Sequence, residues 1–142
     1  MSAVKLVAAF AENKPGQTAR ITGLLADAGV NIRWVTVASS GPFGVMKFLV
    51  DDCDGALRAL KEHGVVASFL EVLAVEVQDQ PGALRTVADC LAQSEINLDN
   101  TSGFVANRRA ILVIEVHDLA RASTVLEQSG LRVLTQEEML SL

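Results

Sequence analysis

The stretch Asp79-Gln80-Pro81-Gly82-Ala83-Leu84 decides how this chain reads. An apolar run, Val72 to Val77, precedes it, and a helix-period pattern at Val87, Ala88 and Leu91 follows. The earlier stretch Asn13-Lys14-Pro15-Gly16-Gln17-Thr18 has the same flanks, with Pro15 and Pro81 66 residues apart. The offset then holds without a gap. Leu25 matches Leu91, Asn31 matches Asn97, Val50 matches Val116, Asp52 matches Asp118, Leu60 matches Leu126 and Gly64 matches Gly130. One unit is therefore written twice, with two equivalent strand-to-helix turns.

Outward from the first turn, Val4 to Ala11 reads as a strand that is apolar on both faces. Gln17 to Ala28 carries Ile21, Leu24, Leu25 and Ala28 on one helical stripe and stops at Gly29. Val30 to Ser39 is a β-branched second strand. Ser40 to Gly44 is a turn, and Val45 to Val50 is the third strand of a hairpin. Asp52 or Asp54 caps a helix bearing Ala56, Leu57 and Leu60, which ends at Gly64, and Val65 to Leu70 is strand four.

The second unit begins at once. Glu71 to Gln78 is its first strand, Gly82 to Ser94 a helix burying Val87, Ala88 and Leu91, and Ile96 to Val105 its second strand. Ala106 to Arg109 is the hairpin turn and Ala110 to Val116 the third strand. Asp118 caps a helix through Ser129, Leu131 to Thr135 is the last strand, and Gln136 to Leu142 is a tail of one loose helical turn. The expectation is an α+β chain of two tandem βαββαβ units, residues 1–70 and 71–142. Each has the ferredoxin-like plan of an antiparallel sheet with its helices on one face.

Composition narrows the function. Half of the 142 residues are hydrophobic, 20% are charged and the net charge is −5. That acidity disfavours nucleic acid and anionic membrane as partners, and no apolar run reaches the ~18 residues of a membrane span. The surplus of aliphatic surface predicts a further covered face, as in a homodimer. Met1 to Lys5 shows no signal-peptide pattern, and Cys53 and Cys90 form no CxxC pair, so a cytoplasmic chain with both thiols packed as small hydrophobes is expected.

Neither GxSxG, a Walker loop, GxGxxG nor HExxH occurs, and His63 and His117 stand without a nucleophile or metal partner. A small ferredoxin-like hydrolase of the acylphosphatase type would need an arginine beside an anion-cradling loop, and Arg20 lies well into its helix. No enzyme, metal or cofactor is expected.

The turns themselves allow two readings. Proline suits the first positions of a helix, glycine lets backbone come close to a neighbour, and first-turn N–H groups lack intrahelical partners. Such a turn can hold a carboxylate, with Asp79 as acceptor for an ammonium group. It can equally be a good turn and cap.

Asp79-Gln80-Pro81-Gly82-Ala83-Leu84 with Glu95-Ile96-Asn97-Leu98-Asp99 resembles the ACT domain, a small-molecule-binding regulatory module. Asn13-Lys14-Pro15-Gly16-Gln17 with Gly29-Val30-Asn31-Ile32 repeats the likeness. The resemblance implies units that pair side by side and bind a free amino acid at the interface between paired units. The turn residues Asn13, Lys14, Pro15, Gly16 and Gln17, and Asp79, Gln80, Pro81, Gly82, Ala83 and Leu84, would touch the ligand. Asn31 and Asn97 would serve at strand two, where an amide offers donors and an acceptor.

Unit one departs from the pattern with Asn13 and Thr18, and carries Arg33-Trp34 where unit two has Asp99-Asn100, so two sites would not be equivalent. With no catalytic domain in the sequence, the implied function is a non-catalytic regulator that passes an amino-acid signal to an enzyme or other protein. The alternative is an interaction or scaffold module whose turns only cap helices.

Overall fold

The computed structural model describes residues 2–142 and divides them into two compact units. The first is Lys5–Leu70, and the second is Glu71–Leu142 with residues 2–4. Each is a ferredoxin-like βαββαβ unit.

In the first, β1 (Val4–Glu12), α1 (Gln17–Asp27), β2 (Ile32–Ser40), β3 (Phe43–Val50), α2 (Cys53–Glu62) and the start of β4 (Val66–Val77) follow in order. The sheet order is β2-β3-β1-β4, and β3 runs antiparallel to both β1 and β2. In the second, the remainder of β4 is followed by α3 (Ala83–Gln93), β5 (Asn100–Ala106), β6 (Arg109–Glu115), α4 (Leu119–Gln128), β7 (Arg132–Leu134) and α5 (Gln136–Leu140). Its order is β5-β6-β4-β7, antiparallel throughout.

Alternation decides the faces. Val7 and Ala9 of β1 with Met46, Phe48 and Val50 of β3 meet Ile21, Leu25, Ala56 and Leu60 of the helices in one core. Leu73 and Val75 with Ile114 and Val116 meet Val87, Leu91, Ala122 and Leu126 in the other. β1 is buried on both faces from Leu6 to Ala9, as its unbroken apolar run requires. Cys53 packs against the first core and Cys90 against the second, both as free thiols, and burial pushes the Cys53 thiol up. No described helix is long and apolar enough to cross a membrane.

Several sequence expectations need correction. Ala28 and Ala88 are exposed rather than buried. Ala28 is the C-cap of α1, and Ala88 flanks the α3 stripe, where Cys90 takes the inward position instead. The expected strands Val65 to Leu70 and Glu71 to Gln78 are one uninterrupted strand, Val66–Val77. Residues 96–99 are not strand: the Ile96 amide donates to the Leu91 carbonyl as part of the helix stop, and Ile96 plugs the core. This stop uses Glu95 in the left-handed region (φ 56) where unit one uses Gly29.

The hairpin turns are shorter than expected, Gly41-Pro42 and Asn107-Arg108, with φ positive at both residues of the second. Of the two candidate caps for α2, Asp52 accepts from the Gly55 amide. The tail is not loose. Thr135 and Glu138 form a capping box on α5, Glu138 pairs with Arg132, and Met139 is 3% exposed.

Candidate functional site

The two proline-glycine turns share one unusual property. Gly16 (φ 92) and Gly82 (φ 89) are the N-caps of α1 and α3, both left-handed, and neither helix has a side-chain cap. Among the described residues the other three helices are capped by Asp52, Asp118 and Thr135. The Gln17 and Ala83 N–H groups bond back to the Lys14 and Gln80 carbonyls, and those of Thr18, Ala19, Leu84 and Arg85 are left to an acceptor from outside the helix.

The turn residues sit at the surface: Asn13, Lys14, Pro15 and Gly16 are exposed and Gln17 is half-buried, while Asp79, Gln80, Pro81, Gly82 and Leu84 are exposed around a half-buried Ala83. Asn13 is tied down. Its side-chain amide donates to the Gly41 carbonyl at 3.0 Å, and its backbone amide donates to the Pro42 carbonyl at 2.8 Å. Asp79 makes no such bond to a described residue. Asn31 is exposed and held through its backbone, its N–H donating to Asp51 Oδ1 at 3.0 Å. Asn97 is exposed, and its Nδ2 donates to Asp99 Oδ1 at 2.7 Å.

A crevice opens beside each turn, at the sheet end where the hairpin tip and the second helix-to-strand turn also arrive. In unit two its volume is about 670 Å³. It brings together Asp79, Gln80 and Ala83 of the turn, Thr86 of α3, Arg108 and Arg109 of the hairpin, and Glu76 and Arg132 of the sheet. Pro81, Gly82, Leu84 and Asn97 do not line it. In unit one the volume is about 500 Å³, and Gln17 is the turn residue in its wall, beside Phe10, Arg20, Phe43 and Val66. Asn13, Lys14, Pro15, Gly16 and Asn31 lie outside that wall.

The two crevices are built from register-equivalent positions and have opposite chemistry. Phe10, Phe43 and Val66 correspond at the 66-residue offset to Glu76, Arg109 and Arg132. The apolar trio is 48%, 65% and 69% exposed. The charged trio is mutually paired: Glu76 lies opposite Arg132 in the β4–β7 register, accepts from Arg109 Nε, and stands 3.6 Å from Arg132. Glu138 completes the chain of alternating charges on Arg132. The hydrogen bond to Glu76 also raises the Arg109 pKa. Arg20 of unit one is engaged elsewhere, its Nη2 donating to the His63 carbonyl at 2.9 Å. Sequence reasoning missed these residues because it compared the repeats for agreement. The signal was in their disagreement, three apolar-to-charged exchanges at one offset.

The chain is thus a tandem of ferredoxin-like units whose two strand-to-helix turns lack side-chain caps. The pattern of the ACT domain pair family matches residues 1–142. The chain belongs to that family. A solved structure of a protein from Bacteroides thetaiotaomicron superimposes with a TM-score of 0.91 at 26% identity, covering 99% of this chain and 97% of that one. The regulatory subunit of aspartate kinase from Thermus thermophilus, in its ligand-free form, shares the fold at a TM-score of 0.61 and 18% identity, covering 91% of this chain and 93% of that one. The same subunit from Thermus flavus gives 0.60 and 15%, with 92% and 97% covered. No curated protein matches the sequence.

Proposed function

We propose that this chain is a non-catalytic regulatory protein that binds a free amino acid at its strand-to-helix turns and passes the signal to an enzyme or other protein in the cytoplasm. The contacts are Asn13 to Gln17 with Asn31 in unit one and Asp79 to Leu84 with Asn97 in unit two, and the working form is a homodimer.

The observation that carries the reading is the pair of uncapped helix starts behind left-handed Gly16 and Gly82, in a chain whose other helices all have side-chain caps. A side-chain cap in place of either glycine would add only a few tenths of a kcal/mol, so the glycines cost little in stability and leave the helix start open to a carboxylate. Membership of the ACT domain pair family, and the likeness to a kinase regulatory subunit, supply the regulatory sense.

Melting the chain in the presence of each of the twenty amino acids tests it. A ligand at ~100 times its Kd stabilises the fold by about 2.7 kcal/mol, which is plain in a melting curve. If none moves the midpoint, the binding half of the proposal is lost. A scaffold role is favoured by one specific observation: Val35 and Val37 lie exposed on the edge strand β2, where unit two has Thr101 and Gly103. A protein partner retained by a chain with no amino-acid response would point there.

A further inference from the structure

Ala11, Ile21 and Val65 of the first core form the floor of the unit-one crevice, and the exposed Phe10 edges it. Gln17 and Arg20, from the start of α1, supply its polar side. A crevice of about 500 Å³ with so apolar a wall and so few polar groups has the size and make-up of a small-molecule site.

The fold does not require an arginine there. At the 66-residue offset Arg20 corresponds to Thr86, whose hydroxyl turns back on the Gly82 carbonyl of its own helix. Arg20 gives one N–H to the His63 carbonyl at 2.9 Å and forms no ion pair with a described residue. Its remaining N–H groups are open to an acceptor. The Gln17 side chain, half-buried where unit two has Ala83, makes no hydrogen bond to a described residue. Glu12, also in the wall, is held by Lys14 at 3.3 Å, so Arg20, Lys14 and Glu12 together leave one positive charge. A guanidinium and an amide, both unengaged and set over an apolar floor, suit one carboxylate on an apolar body.

We infer that the unit-one crevice binds a small carboxylic acid with a branched or aromatic apolar body, the carboxylate on Arg20 and Gln17 and the body over Ile21 and Val65. Neither contact needs an ammonium group or the start of α1, so the inference stands apart from the amino-acid reading above. An apolar amino acid and the matching α-keto acid both carry this chemistry. The unit-two crevice, with Ala83 and Thr86 at the equivalent positions, does not share it.

The test uses the full chain, by calorimetric titration and melting with acetate, isocaproate, isocaproamide, α-ketoisocaproate and leucine at matched ionic strength. Isocaproate is expected to bind at least about tenfold more tightly than its amide, which brings no charge to Arg20. Over acetate it is expected to gain about fourfold for each methylene buried. Arg20→Thr, which copies unit two, is expected to erase the acid-over-amide preference. Arg20→Gln, which keeps a donor for the His63 carbonyl, reads the same loss should Arg20→Thr fold poorly.

Tighter binding of leucine than of α-ketoisocaproate assigns the crevice to an amino acid, and the reverse to the keto acid; either supports the inference. Equal binding of isocaproate and isocaproamide, no gain over acetate, or an acid preference untouched at Arg20 overturns it and leaves the amino-acid proposal standing. Silence from all of these acids overturns it too, and the wider amino-acid screen then decides the earlier proposal by itself.

Discussion

At Gly82 the backbone conformation and the candidate chemistry meet in one residue. A Cβ there would meet nothing within 4 Å, so no clash forbids a side chain; the obstacle is φ of 89°. Gly82→Ala is therefore expected to cost about 1–2 kcal/mol through backbone strain alone, read as a lower urea midpoint with unchanged slope. Gly23, in the interior of α1, also has open space around its missing Cβ but carries no positive φ. There the same exchange is expected to stabilise by about 1 kcal/mol, because alanine loses less conformational freedom in a helix. Opposite signs for one substitution in two helices would show that the turn glycine serves a conformation, while the other fills no structural need. The turn geometry was legible in the sequence at this scale, because a Pro-Gly pair between a strand and a helix leaves few backbone choices. The side-chain partners were not: nothing local announces that Asn13 is tied to the hairpin tip and Asp79 is not.

Helix α5 shows how an element is held by a few charges. Its capping box places Thr135 Oγ1 on the Glu138 amide and the Glu138 carboxylate on the Thr135 amide, while the same carboxylate pairs with Arg132. The backbone N–H of Thr135, and then the charge of Arg132, hold the Glu138 pKa below the ordinary glutamate value. A depressed carboxyl contributes stability that is fully present above its unfolded-state pKa of about 4.3 and is lost as pH falls through the lower folded value. Glu138→Gln is thus expected to lower the melting point at neutral pH, with the gap between the two proteins closing below about pH 4. A gap that stays constant from pH 7 to pH 3 would mean that the carboxylate charge plays no part. The tail looked loose in sequence because only the capping pair is local. Arg132 and the burial of Met139 come from the folded second unit.

At the scale of the whole molecule the two units differ most in what they leave uncovered. Phe43, Val66, Val35 and Val37 are exposed in the first, and their equivalents in the second are Arg109, Arg132, Thr101 and Gly103. Exposed apolar residues of this kind favour association, and the proposed homodimer draws on them: Val35 and Val37 lie on the helix side of the sheet, opposite Phe48 and Met46 in register, and Phe43 on the other side. Val37→Lys is expected to shift the chain toward monomer in sedimentation equilibrium while leaving its melting point as a monomer intact. An unchanged mass for Val37→Lys and for Phe43→Lys would remove both faces of this sheet from the dimer.

The duplication, the element order, the fold class and the family all stood in the sequence. Each depends on local rules: a period of 2 or 3.6 residues, a glycine where φ must be positive, a proline where an N–H is dispensable. The register of the copies made those rules redundant, so a doubtful element in one unit was supported by its twin. Only the tertiary structure decided which side chains share a crevice. Glu76, Arg109 and Arg132 come from three different strands, and each by itself reads as an ordinary charged residue near a strand end. Strand pairing across 33 residues or more of chain brings Arg109 and Arg132 to one carboxylate, and no local periodicity encodes a meeting of that kind.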